Sequence, residues 1–143
     1  MRVKINFPQQ APLGVFKIPV RITDINYGGH LGNDALLSML QEARVQWLAS
    51  AGFTELKTGS HGLIMADVMI AYRNESFYGD ELKIALILGD SSARSFDILY
   101  QVSTLRDGKS ILIAEAKTGM VCMDYTQRKI VTMDEQLKTL LGL

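Results

Sequence analysis

Residues 24–33 of this chain read Asp24-Ile25-Asn26-Tyr27-Gly28-Gly29-His30-Leu31-Gly32-Asn33, directly before its longest helix-like segment. The stretch sets carboxylate, amide and imidazole side chains beside a glycine-rich turn. Because glycine has no Cβ, a ligand can approach the backbone closely there. A helix start presents free N–H groups and the positive end of the helix dipole, which suit a developing oxyanion. We therefore expect the chemistry of this protein within residues 24–33.

The segment that follows, Asn33 to Ala51, predicts a long helix. Asn33 or Asp34 can cap its start, and Gly52 can end it. Apolar side chains recur at helical spacing on one stripe, namely at Leu36, Leu40, Ala43 and Trp47. Further apolar positions widen that stripe, so the helix is expected to be buried on most sides. A helix this apolar needs a large surface around it.

The rest of the chain predicts strands that supply this surface. Val15 to Ile25 favours a strand, with Pro19 indicating an edge or an irregularity. Four further strands are predicted at Leu63 to Tyr72, Glu81 to Leu88, Ser95 to Leu105 and Ile111 to Met123. Turn signals at Gly79-Asp80, Gly89-Asp90 and Asp107-Gly108 would join them as a meander, and Asp134 to Leu141 predicts a short closing helix. This order predicts a single α+β domain over residues 1–143.

Composition narrows the class of protein. The 143 residues carry 15 basic and 15 acidic side chains, and no basic run with interleaved aromatics, so nucleic acid is not an expected partner. A single cysteine, Cys122, fits a reducing compartment, and two distant histidines give no metal-ligand spacing. Residues 1–7 lack an apolar signal-peptide core, and no apolar run is long enough to span a bilayer. We expect a soluble cytoplasmic protein without a metal.

The pattern resembles the hotdog-fold acyl thioesterases related to 4-hydroxybenzoyl-CoA thioesterase, over most of the chain. That family commonly carries Asp-x-Asp-x-x-Gly-His-Val-x-Asn after its first strand, which corresponds here to residues 24–33. Its helix usually carries Glu-Ala-Arg, seen as Glu42-Ala43-Arg44, and then residues like Trp47-Leu48 and Gly52-Phe53. A later strand start resembles Phe77-Tyr78-Gly79-Asp80-Glu81-Leu82. The resemblance implies a hotdog fold, in which a bent antiparallel sheet of about five strands wraps a long central helix.

Position 26 departs from the family pattern. The usual catalytic carboxylate of the family is the second Asp of its Asp-x-Asp, where this chain has Asn26. An amide cannot act as a base or carboxylate nucleophile near neutral pH, but it can orient a water or donate a hydrogen bond. Plant acyl-carrier-protein thioesterases look similar in using an Asn and a His near such a helix. The departure is therefore compatible with hydrolysis.

Four side chains are candidates for catalysis: Asp24, Asn26, His30 and Glu42. Asp24 and Asn26 lie two apart on an extended segment and can face one side, or they can bond nearby backbone amides as turn residues. His30 can transfer protons or polarise a carbonyl, or it can be a hydrogen-bonded packing residue. Glu42 can replace the missing carboxylate as general base, or it can pair with an arginine, including one across a subunit interface.

The same stretch contains the candidate substrate-binding residues Gly28, Gly29, Leu31 and Asn33. The backbone N–H of His30, together with that of Gly29 or Leu31, can form an oxyanion hole. Gly28 and Gly29 permit the tight turn that such a site needs. Asn33 is a helix cap or a substrate contact. Outside this stretch, Arg44 is expected in an ion pair, either structural or at an interface, and Cys122 in the core.

The resemblance implies hydrolysis of an acyl thioester carried on coenzyme A or acyl carrier protein, with no metal or redox cofactor. Similar proteins pair edge to edge into a homodimer, often doubled to a homotetramer, and pairing removes exposed sheet edges. Two alternatives remain open: a hydratase or dehydratase acting on acyl thioesters, and a non-catalytic acyl-thioester binding protein. Asn26 is the residue that favours the second alternative.

Overall fold

One long helix packs against an antiparallel sheet in the computed structural model, which describes residues 2–143. A 3-10 turn at Ile22–Asp24 precedes the long helix. The elements in chain order are β1 (Gly14–Pro19), α1 (Asn33–Ser50), β2 (Gly62–Tyr72), β3 (Glu81–Ser91), β4 (Ser95–Arg106), β5 (Lys109–Asp124), β6 (Lys129–Ile130) and α2 (Glu135–Leu141). The predicted α+β class is confirmed.

The sheet has the order β1-β3-β4-β5-β2, and the short β6 pairs with β5. The predicted meander therefore holds from β3 to β5 and is wrong for β2, which pairs with β5 rather than with β3. The reason lies in the connection between β2 and β3. Its last residues bond to the chain after β1, with Val20 N–H donating to Asp80 O (2.8 Å) and Gly79 N–H to Val20 O (3.2 Å). Gly79 and Asp80 thus join the two segments instead of closing a hairpin.

The predicted strand over Val15 to Ile25 is correct only as far as Pro19. Proline has no N–H to continue the ladder. Beyond it, the Asp24 carboxylate accepts a hydrogen bond from the Arg21 N–H at 2.8 Å and holds residues 22–24 in the 3-10 turn. This turn points the chain toward the start of α1, so residues 24–33 follow a bend rather than a strand.

Helix α1 buries the predicted stripe, with Leu36, Leu40, Ala43 and Trp47 all almost inaccessible to solvent. The inward side chains of β3, β4 and β5 complete this core. Burial on most sides was too broad an expectation, because Gln41, Glu42, Val45 and Gln46 face outward. None of the helices in residues 2–143 has both the length and the apolar character that crossing a bilayer requires.

Candidate active site

The glycine-rich stretch forms a closed turn in front of α1. Asn26 N–H donates to His30 O at 2.9 Å, and Gly29 N–H donates to Asn26 O at 3.1 Å. Gly29 has a φ of 80°, which glycine adopts without strain. Gly32 N–H then donates to Asp24 O at 2.9 Å, which seats the turn against the start of the helix. The turn brings Asn26 and His30 together.

The Asn26 side chain is fixed in one orientation. Its Oδ1 accepts a hydrogen bond from the Gly28 N–H at 2.9 Å. Since this donor requires an oxygen, the amide nitrogen Nδ2 is the other atom of the group. In the described chain Nδ2 contacts no protein acceptor. Asn26 therefore offers two N–H donors to a ligand.

The His30 ring is oriented by its neighbour in the chain. Nδ1 lies 3.2 Å from Leu31 O, and a carbonyl can only accept, so Nδ1 carries the proton in the neutral ring. Nε2 then holds a lone pair. A Cβ added at Gly28 would lie 3.2 Å from Nε2 and 3.3 Å from Asn26 Oδ1, so both side chains converge on this glycine. The ring nitrogen that can accept a proton and the Asn26 amide oxygen therefore both lie next to Gly28.

The start of α1 has no side-chain cap. Its N-cap is Gly32, so the predicted caps Asn33 and Asp34 are wrong by one or two positions. Leu36 N–H donates to Gly32 O at 3.2 Å. Within residues 2–143 the N–H groups of Asn33, Asp34 and Ala35 have no acceptor. Three free donors at the positive end of an 18-residue helix form a site for negative charge.

Two of the predicted oxyanion donors are already occupied. Gly29 N–H bonds to Asn26 O, and Leu31 N–H bonds to Ser76 O at 2.7 Å. The turn needs these two bonds for its own shape, because it packs against the segment before β3. His30 N–H is the remaining predicted donor, and it has no acceptor among the described residues. The free donors are therefore the His30 N–H and the N–H groups at the helix start.

Two clefts meet at Gly32 and Asn33. One, of about 210 Å³, extends from His30 to the segment after β2, and its apolar wall contains Leu31, Leu36 and Ile113. The other is a more open hollow of about 540 Å³ beside Asn26, Tyr27 and the first turn of α1. A ligand lying across both clefts would pass the free N–H groups, His30 and Asn26.

A protein-family comparison identifies the chain. Residues 20–141 match the family model described as the thioesterase-like superfamily. The chain belongs to this superfamily.

Three related proteins illustrate the thioesterase-like match. A 1,4-dihydroxy-2-naphthoyl-CoA hydrolase of Microcystis aeruginosa is 28% identical over 126 residues, which cover 86% of this chain and 88% of the relative. The structure of a 1,4-dihydroxy-2-naphthoyl-CoA thioesterase from Synechocystis has a TM-score of 0.78 at 24% identity, covering 90% of this chain and 94% of that one. An aspartate-to-asparagine mutant of 4-hydroxybenzoyl-CoA thioesterase, complexed with 4-hydroxybenzoyl-CoA, has a TM-score of 0.79 at 16% identity, covering 89% and 96%. The hotdog fold is confirmed.

Asp24 and Glu42 are not brought to the His30 cleft of this thioesterase-like chain. Asp24 is buried, and its carboxylate accepts from the Arg21 backbone and guanidinium. Glu42 is exposed on the surface of the single chain, and its pairing with an arginine across a subunit interface stays a prediction. Both line a separate hollow of about 310 Å³ with Arg21. Asp24 also lines the hollow of about 540 Å³ beside Asn26.

Two further predictions concern structural residues. Arg44 is 4% exposed and forms an ion pair with Glu55, as expected, and it also donates to Tyr100 Oη at 3.1 Å. Cys122 is buried, and burial raises the pKa of its thiol to about 11, so it is a core residue rather than a nucleophile. No cluster of three or more metal-binding side chains occurs in residues 2–143.

The sequence did not single out Tyr72 as part of the site. Its hydroxyl donates to Asn33 O at 2.9 Å, and its ring lines the smaller cleft. Partial burial and then the Asp34 carboxylate raise the pKa of Tyr72, so the phenol is neutral. Tyr72 is separated by 39 residues from Asn33, and only the pairing of β2 with β5 brings its end of β2 to the helix. Nothing in the sequence around Tyr72 indicates this contact, because it depends on strand pairing between distant parts of the chain.

Proposed function

We propose that this chain hydrolyses the thioester bond of an acyl-CoA at the start of α1. The observation that carries the proposal is the row of free N–H groups at Asn33, Asp34 and Ala35, beside His30 and Asn26. A thioester carbonyl acquires negative charge as a nucleophile attacks it. Fixed N–H donors at the positive end of a helix stabilise that charge in the transition state more than in the substrate.

His30 is proposed as the general base. Its Nδ1–H is engaged by Leu31 O, which leaves the Nε2 lone pair to accept a proton from water. The water oxygen bonds to the carbonyl carbon, and the C–S bond then breaks. The proton held on Nε2 passes to the leaving thiolate, so the products are a free acid and coenzyme A.

Asn26 is proposed as a donor rather than a base. Its Nδ2 hydrogens can bind the attacking water or the carbonyl oxygen, while the Gly28 N–H keeps the amide from rotating. In this proposal an amide stands where the family usually has a carboxylate, and His30 instead accepts the proton from the attacking water. Asp24 and Glu42, which the sequence offered as other bases, are supported less. Asp24 lines the hollow beside Asn26, but its carboxylate is already bonded to the Arg21 backbone and guanidinium, and Glu42 lies in a different hollow.

The acyl group is proposed to occupy the 210 Å³ cleft beside His30. Its apolar wall suits a hydrocarbon group, and its volume lies below the roughly 300–1,000 Å³ of sites that take whole drug-sized ligands. The cleft therefore suits a compact acyl group, with the rest of the carrier outside. The relatives from Microcystis and Synechocystis are named for a dihydroxynaphthoyl-CoA substrate. We extend that class, a hydroxylated aromatic acyl-CoA, to this chain, with acyl carrier protein as the alternative carrier.

We also propose that residues 1–143 act as one domain, in the cytoplasm, as a homodimer or homotetramer. The support for the oligomer is β2, an edge strand of 11 residues that exposes Ile64, Met65 and Val68. A long apolar edge invites pairing with another strand. A second copy of this chain could cover the β2 edge by strand pairing.

A thiol-release assay tests the proposed reaction. Purified protein is given 1,4-dihydroxy-2-naphthoyl-CoA, 4-hydroxybenzoyl-CoA, hexanoyl-CoA and palmitoyl-CoA, and free CoA is measured over time. We expect turnover, with the aromatic thioesters preferred to palmitoyl-CoA. Calorimetry with non-hydrolysable thioether analogues and a hydration assay on an enoyl-CoA run in parallel. Tight binding without thiol release would mean an acyl-thioester binder, and enoyl hydration without thiol release would mean a hydratase.

A further inference from the structure

The connection between β2 and β3 is bonded directly to the turn that holds His30. Leu31 N–H donates to Ser76 O at 2.7 Å, and Leu31 O accepts from His30 Nδ1 at 3.2 Å. A single residue, Leu31, therefore joins the connection on one side and the imidazole on the other. The position of Ser76 O fixes the carbonyl that orients the His30 ring.

Ser76 is held in turn by the Asp80 carboxylate. Asp80 Oδ2 accepts hydrogen bonds from Ser76 Oγ at 2.8 Å, Phe77 N–H at 2.9 Å and Arg106 Nη2 at 2.7 Å. The Arg106 guanidinium also lies over the Phe77 ring, 5.2 Å from its centre. Ser76 itself is 1% exposed. Three donors thus close around one carboxylate oxygen and leave the Ser76 peptide little freedom.

The charge of Asp80 suits this role. Partial burial acts to raise its pKa, but the hydrogen bonds from Phe77, Ser76 and Arg106 outweigh burial and lower the pKa of Asp80. The group is therefore a carboxylate at neutral pH, and each of its three bonds is charge-assisted. Neither Asp80 nor Arg106 lines the cleft beside His30. They can influence chemistry there only through the residues they hold.

We propose that Asp80 and Arg106 are positioning residues for His30, which act through Ser76 and Leu31 to hold the imidazole in its reactive tautomer and orientation. The inference rests on the proposed function, because it takes His30 as the base. It differs from a simple turn role for Asp80, which would affect stability and leave the His30 ring where it is. Small displacements of a catalytic group are costly, on the order of a hundredfold in rate for about 1 Å.

Kinetics of Asp80→Asn give the first test, because the variant keeps the shape of the side chain and removes its charge. We expect kcat to fall roughly tenfold to a hundredfold while KM changes less, since neither Asp80 nor Arg106 lines the acyl cleft. In a His30→Gln background the same change should have almost no effect on kcat. An equal fall in both backgrounds, or a change confined to KM, would overturn the proposal. If Asp80→Asn does not fold, the same kinetics are measured on Arg106→Lys. This variant keeps the charge but loses the guanidinium fork, so the same fall in kcat is expected.

A second test needs no activity, because the chain has only two histidines. The ring nitrogen resonances of ¹⁵N-labelled protein report tautomer and hydrogen bonding at each. Asp80→Asn should shift the His30 signals and leave those of His61. Asp124→Asn is the matched control: this carboxylate also accepts backbone N–H groups in a turn, from Thr126 and Gln127, and its Oδ2 lies 4.0 Å from His61 Nδ1.

Asp124→Asn should shift His61 and leave His30 unchanged, the reverse of Asp80→Asn. Unmoved His30 signals in folded Asp80→Asn protein would overturn the positioning role. If the wild-type protein released no thiol from any substrate, the proposed function would fail, and the resonance shifts would still decide whether Asp80 controls the His30 ring.

Discussion

The two ends of helix α1 treat their polar groups in opposite ways. At the carboxyl end the chain reverses at Gly52, whose φ is 76°, and the N–H groups of Ala51, Gly52 and Phe53 bond to Leu48 and Ala49 carbonyls. Ser50 Oγ bonds to Trp47 O at 2.6 Å. At the amino end, by contrast, Gly32 supplies no cap and the first three N–H groups are free.

The polar side chains near the two ends of α1 differ in the same way. Near the carboxyl end Arg44, Glu55, Tyr100 and Thr118 form a closed network, with Tyr100 Oη 2.7 Å from Thr118 Oγ1. At the amino end Asn26 Nδ2 and His30 Nε2 have no protein partners among the described residues, and both residues line open clefts. A helix end with every group satisfied contributes stability, whereas donors left free and fixed in place can serve a ligand. This difference supports the proposal that the chemistry takes place at the amino end.

His30→Gln should produce the largest effect, at the open end. Glutamine keeps a polar side chain but cannot accept a proton near neutral pH, so we expect kcat to fall by roughly 100- to 10,000-fold, the range of a lost general base. Steady-state kinetics on the best aromatic acyl-CoA measure it. His61→Gln is the control, since His61 lies in the loop before β2. Equal rates for wild type and His30→Gln would show that His30 is not the general base.

Arg44→Met should produce the largest effect at the closed end, on stability. Methionine fills much of the arginine volume but leaves Glu55 and Tyr100 without their donor. Breaking one side of a buried ion pair costs about 3 kcal/mol or more. Urea unfolding measures the loss, and Arg94→Met, at an exposed arginine, is the control. A large fall in kcat of the folded variant would show that the two ends are not separable.

The closed end was the more predictable of the two. Gly52 as the stop signal, the buried stripe that includes Trp47, and Arg44 as a structural pair former all followed from helical periodicity and local composition, and the structure agrees. These features depend on neighbours within a few turns of one helix. The long helix and the hairpins from β3 to β5 were predicted for the same reason.

The position of the open end in the chain could be predicted from the sequence, but its hydrogen-bond arrangement could not. Residues 24–33 were singled out correctly as the turn before α1, yet Gly29 and Leu31 proved to use their N–H groups within the protein. Leu31 bonds to Ser76, which is far away in the chain, and this contact depends on a strand order that local turn signals did not give. Long-range pairing, rather than residue type, decides which donors stay free.

Asn26→Asp tests how the open end replaces the family carboxylate. An aspartate can still accept from the Gly28 N–H, and negative charge near a helix start is favourable, so the variant should fold. Because it loses both Nδ2 donors, we expect kcat to fall roughly tenfold to a hundredfold. Asn26→Ala, which also removes them, should be similarly slow. An Asp variant faster than wild type would instead assign the base to position 26.

Gly32→Ser should have the smallest effect and opposite signs on the two properties. Gly32 has φ −70° and ψ 148°, which serine adopts readily. Its new Cβ would come close only to the movable Asp34 Oδ1, at 2.9 Å, and would make ordinary contacts with Asp24 O and Asn26 Cβ at 3.5 and 3.6 Å. The hydroxyl would cap a free N–H, so stability should rise by about a few tenths of a kcal/mol. The same bond competes with the thioester oxygen, so kcat should fall several-fold. Gly32→Ala is the control, because it adds the Cβ without the hydroxyl. If Gly32→Ser were more stable than Gly32→Ala but had the same kcat, the N–H groups at the helix start would not be used in turnover.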